Sequence, residues 1–227
     1  MPHFFIAKVH FLCNNYLDFP TKLTNFAPVK SKEMAKKSFH NILIAIALCL
    51  SAISCQTQRP STADLLFHVT PQSNAITDVT PGMIDHVAIV LHADSVIEAV
   101  GRGVVITPID TLRQQPGYYL IGRVKGVHRP SSIAHARTYL GRPYDYLYLS
   151  DNEAIYCSEL VQFSFVDKQG RRLFEPIPMS FHDATGQITD YWLNFYKDRG
   201  MDVPEGQPGT NPGELSRRQQ VRIIGRL

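Results

Sequence analysis

The chain has 227 residues, 44% of them hydrophobic, which is enough for one folded domain behind a leader. Its formal net charge of +3 comes from the leader, where Lys8, Lys22, Lys30, Lys32, Lys36 and Lys37 face only Asp18 and Glu33. The remaining body is close to neutral, so it lacks the basic surface that nucleic acid binding requires, and no nucleic acid partner is expected.

The leader reads as an export signal. Met34-Ala35-Lys36-Lys37 is a short positive start, and Ile42 to Leu50 is apolar throughout. That run is too short for a transmembrane helix, which needs about 20 apolar residues, and it suits the apolar region of a signal peptide. It ends in Ala52-Ile53-Ser54-Cys55. Small residues before a cysteine resemble a bacterial lipobox, although Ala52 stands where leucine is usual. Residues 34–54 are therefore read as a lipoprotein signal peptide and Cys55 as the lipidated N-terminus; the open alternatives are an ordinary signal peptide cut nearby and a tail-less membrane anchor. Residues 1–33 would bury the positive start in mid-chain and read as an upstream misreading, with Met34 as the start. The expected location is outside the cytoplasm, held on a membrane by the lipid on Cys55 and facing the periplasm or cell surface.

Residues 55–63 have the composition of a tether, and the folded domain is expected over 64–227. Strands are predicted at Asp64 to Val69, Asp85 to Leu91, Val96 to Val100, Val104 to Ile106 and Tyr118 to Val124. Ile109 to Gln115 holds one or two helical turns. Helices are predicted from Ser131 to Leu140, with Ser131 or Ser132 as N-cap, from Ile155 to Asp167, and from Ile188 to Arg199. The tail from Val203 to Gly213 is rich in Pro and Gly and should be irregular. Short neighbouring strands with tight turns imply an antiparallel sheet, with helices packed on it, in an α+β domain.

Of the four cysteines, Cys13 and Cys49 fall in the leader, and Cys55 takes the lipid. Cys157 is then a lone thiol, which makes it a candidate nucleophile given histidines elsewhere. One cysteine and scattered histidines offer no metal-ligand set, so neither metal nor cofactor is expected. Cys157, Leu160, Val161, Ser164 and Phe165 share one helical stripe, which turns the thiol inward. Near a helix start, free N–H groups favour thiolate over thiol and can stabilise an oxyanion. The alternative is a buried structural cysteine.

Among nine histidines, His86 alone enters a strand of otherwise small or apolar residues, where a polar ring must face a partner or a cleft. Glu98 is likewise the only charge in Val96-Ile97-Glu98-Ala99-Val100. A carboxylate beside a histidine orients the ring and stabilises its charged form; a solvent-facing Glu98 stays open. The pairing register decides whether they meet, because successive strand residues point to opposite faces. Pairing Leu91 with Val96 would separate them. Pairing Ala88 with Glu98, one residue away, sets His86 diagonally beside Glu98, and this second register is expected.

Asp85-His86-Val87-Ala88-Ile89-Val90, Val96-Ile97-Glu98-Ala99, Gly141-Arg142-Pro143-Tyr144-Asp145 and Tyr156-Cys157-Ser158-Glu159-Leu160-Val161 occur in that order. Together they resemble the circularly permuted branch of the NlpC-type papain-like cysteine hydrolases, the YaeF/YiiX-like group, in which the histidine strand precedes the cysteine helix. The resemblance covers Asp64 to the end. It implies a permuted papain-like fold with the nucleophile at a helix N-terminus, and a triad of Cys157, His86 and Glu98. It places Tyr144 near the site for substrate contact or oxyanion support, with packing as its other role, and Tyr156 and Ser158 as further substrate contacts. Asp145 would cap or brace the turn. Tyr156 and Glu159 replace the Asp and Gly that flank the nucleophile in non-permuted members. The implied activity is that of a cysteine peptidase or amidase acting through a thioester on cell-wall (murein) peptides or similar small peptides. The rival readings are a lipid acyl hydrolase or acyltransferase of the lecithin:retinol acyltransferase-like type, and an inactive surface lipoprotein that binds without catalysis.

Overall fold

A computed structural model describes residues 59–149 and 153–227. The upstream segment, the signal peptide, Cys55 and the start of the tether lie outside the described residues. The folded part reaches back past Asp64: the Ser61 N–H donates to the Asp64 carboxylate (2.8 Å), the Thr62 hydroxyl to the Leu91 carbonyl (3.0 Å), and Ala63 is buried. No helix among the described residues is long and apolar enough to cross a membrane.

Six strands build the main sheet: β1 (Leu65–Val69), β2 (Ile84–His92), β3 (Ser95–Val100), β4 (Gly103–Pro108), β5 (Tyr118–Val124) and β8 (Val221–Arg226). Their order is β4-β3-β2-β1-β5-β8 and every pair is antiparallel. Two-residue strands β6 (Ile177–Pro178) and β7 (Pro208–Gly209) pair separately. The helices are α1 (Ile109–Arg113), α2 (Arg129–Thr138), α3 (Cys157–Ser164), α4 (Asp190–Lys197) and α5 (Pro212–Leu215).

The sheet is covered on both faces, which is why β2 reads as a near-continuous apolar run. Phe67, Val87, Ile89 and Ile97 pack with Leu160, Val161 and Phe165 of α3. Ala88, Val90, Val96 and Ile121 face the other way, onto Ile109 and Leu112 of α1. A third cluster, Met179, Phe181, Trp192 and Tyr196, gathers beside the loop carrying Ile76 and Val79.

Helix α2 begins earlier than its serines suggest. Pro130 fits the first helical turn, where an N–H has no intrahelical partner. Ser131 instead bonds the His128 ring (2.8 Å), and Ser132 accepts from the Val166 N–H (3.1 Å). Helix α3 is shorter than predicted at both ends: Ile155 is spent on a bridge to Tyr144, and Phe165 turns extended with ψ 117°. It is also buried nearly all round, including Ser158, Glu159 and Gln162. The tail from Val203 to Gly213 is not wholly irregular, since it supplies β7 and the start of α5, and β8 follows it where no element was predicted.

Strand β8 closes on β5 beside Gly122. A Cβ there would lie 2.6 Å from Phe67 Cε2 and 3.0 Å from Val221 Cγ1. Phe67 is fully buried and cannot yield. Gly122→Ala is expected to destabilise the domain by about 1–3 kcal/mol, the usual range for overpacking, as read by urea unfolding.

Candidate active site

The β2–β3 hairpin sets the first half of the site. Ile89 pairs with Ile97 and Val90 with Val96, while His92 pairs with Ser95 across a register shift. This is the register that places His86 diagonally beside Glu98, and His86 Nε2 lies 2.8 Å from Glu98 Oε2. A second irregularity sits at the start of β2. His86 pairs with His68 and Ile84 with Val69, so Asp85 is the extra residue of a bulge. Bulges re-aim neighbouring side chains, and the His86 ring bonds Glu98 on β3 and stands near enough to Cys157 on α3 for the sulfur to act on its charge. With Nε2 engaged by Glu98, Nδ1 is the nitrogen left to serve the thiol.

Helix α3 supplies the second half. Tyr156 is its extended N-cap, φ −102° and ψ 171°, and Cys157 is its first residue, 5% exposed. The N–H groups of this turn have no helical acceptor, and the helix presents its positive end here. Glu159 caps the same turn, accepting from the Tyr156 N–H at 3.4 Å. Burial pushes its carboxyl up to about 8, outweighing that hydrogen bond, and the Asp145 charge adds to the rise. Glu159 is therefore largely uncharged at neutral pH and does not cancel the helix field at the sulfur.

The charges of His86 and Glu98 support one another. Burial, the largest single influence, lowers the His86 imidazole. Hydrogen bonds to Cys157 and Glu98, and their negative charges, outweigh it and raise the ring to about 10. Burial likewise raises Glu98, but its hydrogen bond to His86 and the His86 charge, helped by the Thr107 hydroxyl and the Arg102 charge, hold it below the ordinary carboxylate range. Glu98 is buried and His86 half-buried, so this pair is shielded from bulk water.

Tyr144 lines the cavity that Cys157 faces. Burial, then the negative charge at Cys157, push its hydroxyl well above the ordinary tyrosine range. It remains a proton donor at any working pH. Asp145 does brace the turn, accepting from the Leu147 and Leu149 N–H groups at 2.7 Å each. Tyr156 lines the cavity, but its hydroxyl accepts from the Thr210 N–H (3.1 Å), which ties α3 to the tail. Ser158 is fully buried and also lines the cavity, and its hydroxyl has no partner among the described residues. The rest of the wall is mainly apolar: Ile76, Val79, Met179, Phe181 and Trp192. Beside it, a cleft of about 430 Å³ exposes His86 together with Tyr146 and Tyr191.

Sequence reasoning passed over one neighbouring constellation. His68 Nδ1 lies 2.6 Å from Asp85 Oδ1, and Asn74 Nδ2 donates to Asp85 Oδ2 at 2.7 Å. Asn74 also accepts from the Ile76 and Thr77 N–H groups, so Asp85 links the bulge to the cavity wall. The available signal was the Asp preceding His86 in a strand. Among the described residues, no group of three or more His, Cys, Asp or Glu can hold a metal ion.

A similar protein from Escherichia coli, the uncharacterized protein YiiX, is 31% identical over 198 residues, covering 82% of this chain and 96% of that protein. The crystal structure of the metalloprotein yiiX from Escherichia coli O157:H7 shares the fold, with a TM-score of 0.63 at 23% identity over 75% of this chain and 99% of that one. The family model described as permuted papain-like amidase enzyme, YaeF/YiiX, C92 family, matches residues 59–225. With its histidine strand ahead of its cysteine helix, on an antiparallel sheet packed with helices, and with this match over most of its length, the chain belongs to the permuted papain-like amidase family.

Proposed function

We propose that the protein is a cysteine hydrolase that cleaves an amide bond in a small peptide, with cell-wall peptides as the leading class, through a thioester on Cys157. The observation that carries this reading is the contact of one imidazole with both a helix-start thiol and a buried carboxylate. His86, protonated and held by Glu98, keeps the sulfur anionic. The thiolate attacks the carbonyl carbon, and the oxyanion forms against the first N–H groups of α3, with the Tyr144 hydroxyl as a further donor. His86 gives its proton to the leaving amine. It then takes one from water as the water attacks the thioester, which releases the acid and restores the thiol pair.

The apolar cavity wall favours a second reading, in which the acyl group is a lipid chain. Incubation with murein fragments, small peptide amides and phospholipids, followed by product mass analysis, separates the two. Release of a peptide acid supports the first reading and release of a fatty acid the second. A Cys157 inert to a thiol-reactive probe would leave a binding module. The proposal includes export and a lipid anchor at Cys55, outside the described residues. Expression from Met34 is expected to yield acylated Cys55 as the mature N-terminus, and an intact bond between Ser54 and Cys55 on mass analysis would remove the anchor.

A further inference from the structure

Two residues of the Cys157 cavity wall carry buried hydroxyls without a hydrogen-bond partner among the described residues. Ser158 follows the nucleophile on α3 and is 0% exposed; Thr210, on the tail segment that crosses Tyr156, is 4% exposed. The Thr210 N–H donates to the Tyr156 hydroxyl, and Ser158 is locked in the first turn of a buried helix. A buried polar group without a partner is costly, and alanine or valine would fill either position without that cost. Hydroxyls retained in such places, beside the reacting atom, are suited to a ligand that pairs them.

We infer that Ser158 and Thr210 form a polar subsite for the amide groups of an aminoacyl or peptidyl substrate, inside a cavity whose apolar wall takes that residue's side chain. This rests on the reading of Cys157 as the nucleophile, and it selects between the two acyl classes. A hydroxyl both donates and accepts, so the pair can bond a peptide N–H and a peptide C=O. A fatty acyl chain has neither group next to its carbonyl and would leave both hydroxyls desolvated and unpaired. Sites built to hydrogen-bond a substrate reject analogues that lack the group more strongly than apolar pockets reject a change in chain length. Ile76, Val79, Phe181 and Trp192 set the expected side chain as apolar.

Two affinity reagents of similar length test this: N-acetyl-leucine chloromethyl ketone and the chloromethyl ketone of a straight-chain fatty acid. In each the sulfur of Cys157 displaces chloride and forms an S–C bond, so labelling reads acyl-group preference without turnover. Rates are normalised to iodoacetamide labelling of the same variant. The aminoacyl reagent is expected to label wild type about tenfold faster than the fatty one. Ser158→Ala and Thr210→Val are each expected to lose about five- to tenfold of that preference, the worth of one hydrogen bond to a neutral partner. The melting temperature of either variant should not fall, because an unpaired buried hydroxyl has been removed. Faster labelling by the fatty reagent, or a preference unchanged in both variants, overturns the subsite. Failure of iodoacetamide itself to label folded wild type would instead sink the nucleophile. Calorimetric binding of N-acetyl-leucine amide against decanamide then decides the subsite alone, and tighter decanamide binding overturns it.

Discussion

Cys157→Ser is expected to abolish hydrolysis, lowering kcat by on the order of 10⁴-fold or more while leaving the melting temperature near that of wild type. A hydroxyl fills nearly the same volume in the first turn of α3, so the buried packing around it survives. What is lost is acidity: a serine hydroxyl does not give its proton to His86 at working pH. His86→Ala loses a comparable factor, and the double variant is little worse than either, because nucleophile and base act as a unit. The ion pair has its own readout in the rate of Cys157 alkylation by iodoacetamide as a function of pH. In wild type the rate is expected to exceed that of His86→Ala on the acid side, because the His86 cation stands beside the sulfur. In His86→Ala that acid-side reactivity disappears and the rate follows an ordinary thiol, with a pKa of about 8.5. Identical ordinary profiles in both proteins would show that no such pair exists.

Glu98→Gln is expected to lower stability by about 1.5–3 kcal/mol, the range for a hydrogen bond to a charged group, and only within a defined pH window. His86 rises from its ordinary value of 6.5 to about 10, so its contribution is complete below pH 6.5 and is lost as the pH climbs towards 10. Glu98 falls below its ordinary 4.5, so its contribution is present above that value and is lost as the pH drops through the lowered one. The two overlap fully between 4.5 and 6.5. Urea unfolding of wild type and Glu98→Gln should therefore differ most in that window and converge in alkali. A constant difference across the range would mean that Glu98 supports the fold by shape, not by charge. Activity should fall less than in His86→Ala, since Gln still accepts a hydrogen bond from the ring but no longer stabilises its charge.

Much of this was legible in the chain because local pattern and long-range order agreed. The first five strands declare themselves by β-branched runs and Gly-rich turns, and β5 runs from Tyr118 to Val124 as predicted. The polar exceptions His86 and Glu98 stood out because Val87 to Leu91 and the four neighbours Val96, Ile97, Ala99 and Val100 are all apolar. Three features were not legible, each for a physical reason. Strand β8 is a short, half-exposed edge ending in Gly-Arg-Leu, and its identity depends on pairing with distant β5. The cavity wall draws Ile76, Tyr144, Phe181 and Trp192 from four separate segments, and no window of sequence brings them together. The His68–Asp85 pair was hidden because neither residue interrupts an apolar run in a way that marks the other.

The irregularity between Val90 and His92 has a consequence for how this chain can vary over time. His86 and Glu98 are 12 residues apart and meet only while that displaced register persists. The hairpin tip at Ala93-Asp94 is exposed and touches no reacting atom, so exchanging its residues should be nearly free. Losing or gaining a single residue there is another matter. It would carry Glu98 to the opposite side of the sheet and strip the imidazole of its counter-charge without altering any side chain of the triad. The tip is thus tolerant of spelling and intolerant of length, and related chains should preserve the count between these two residues more faithfully than the letters that fill it.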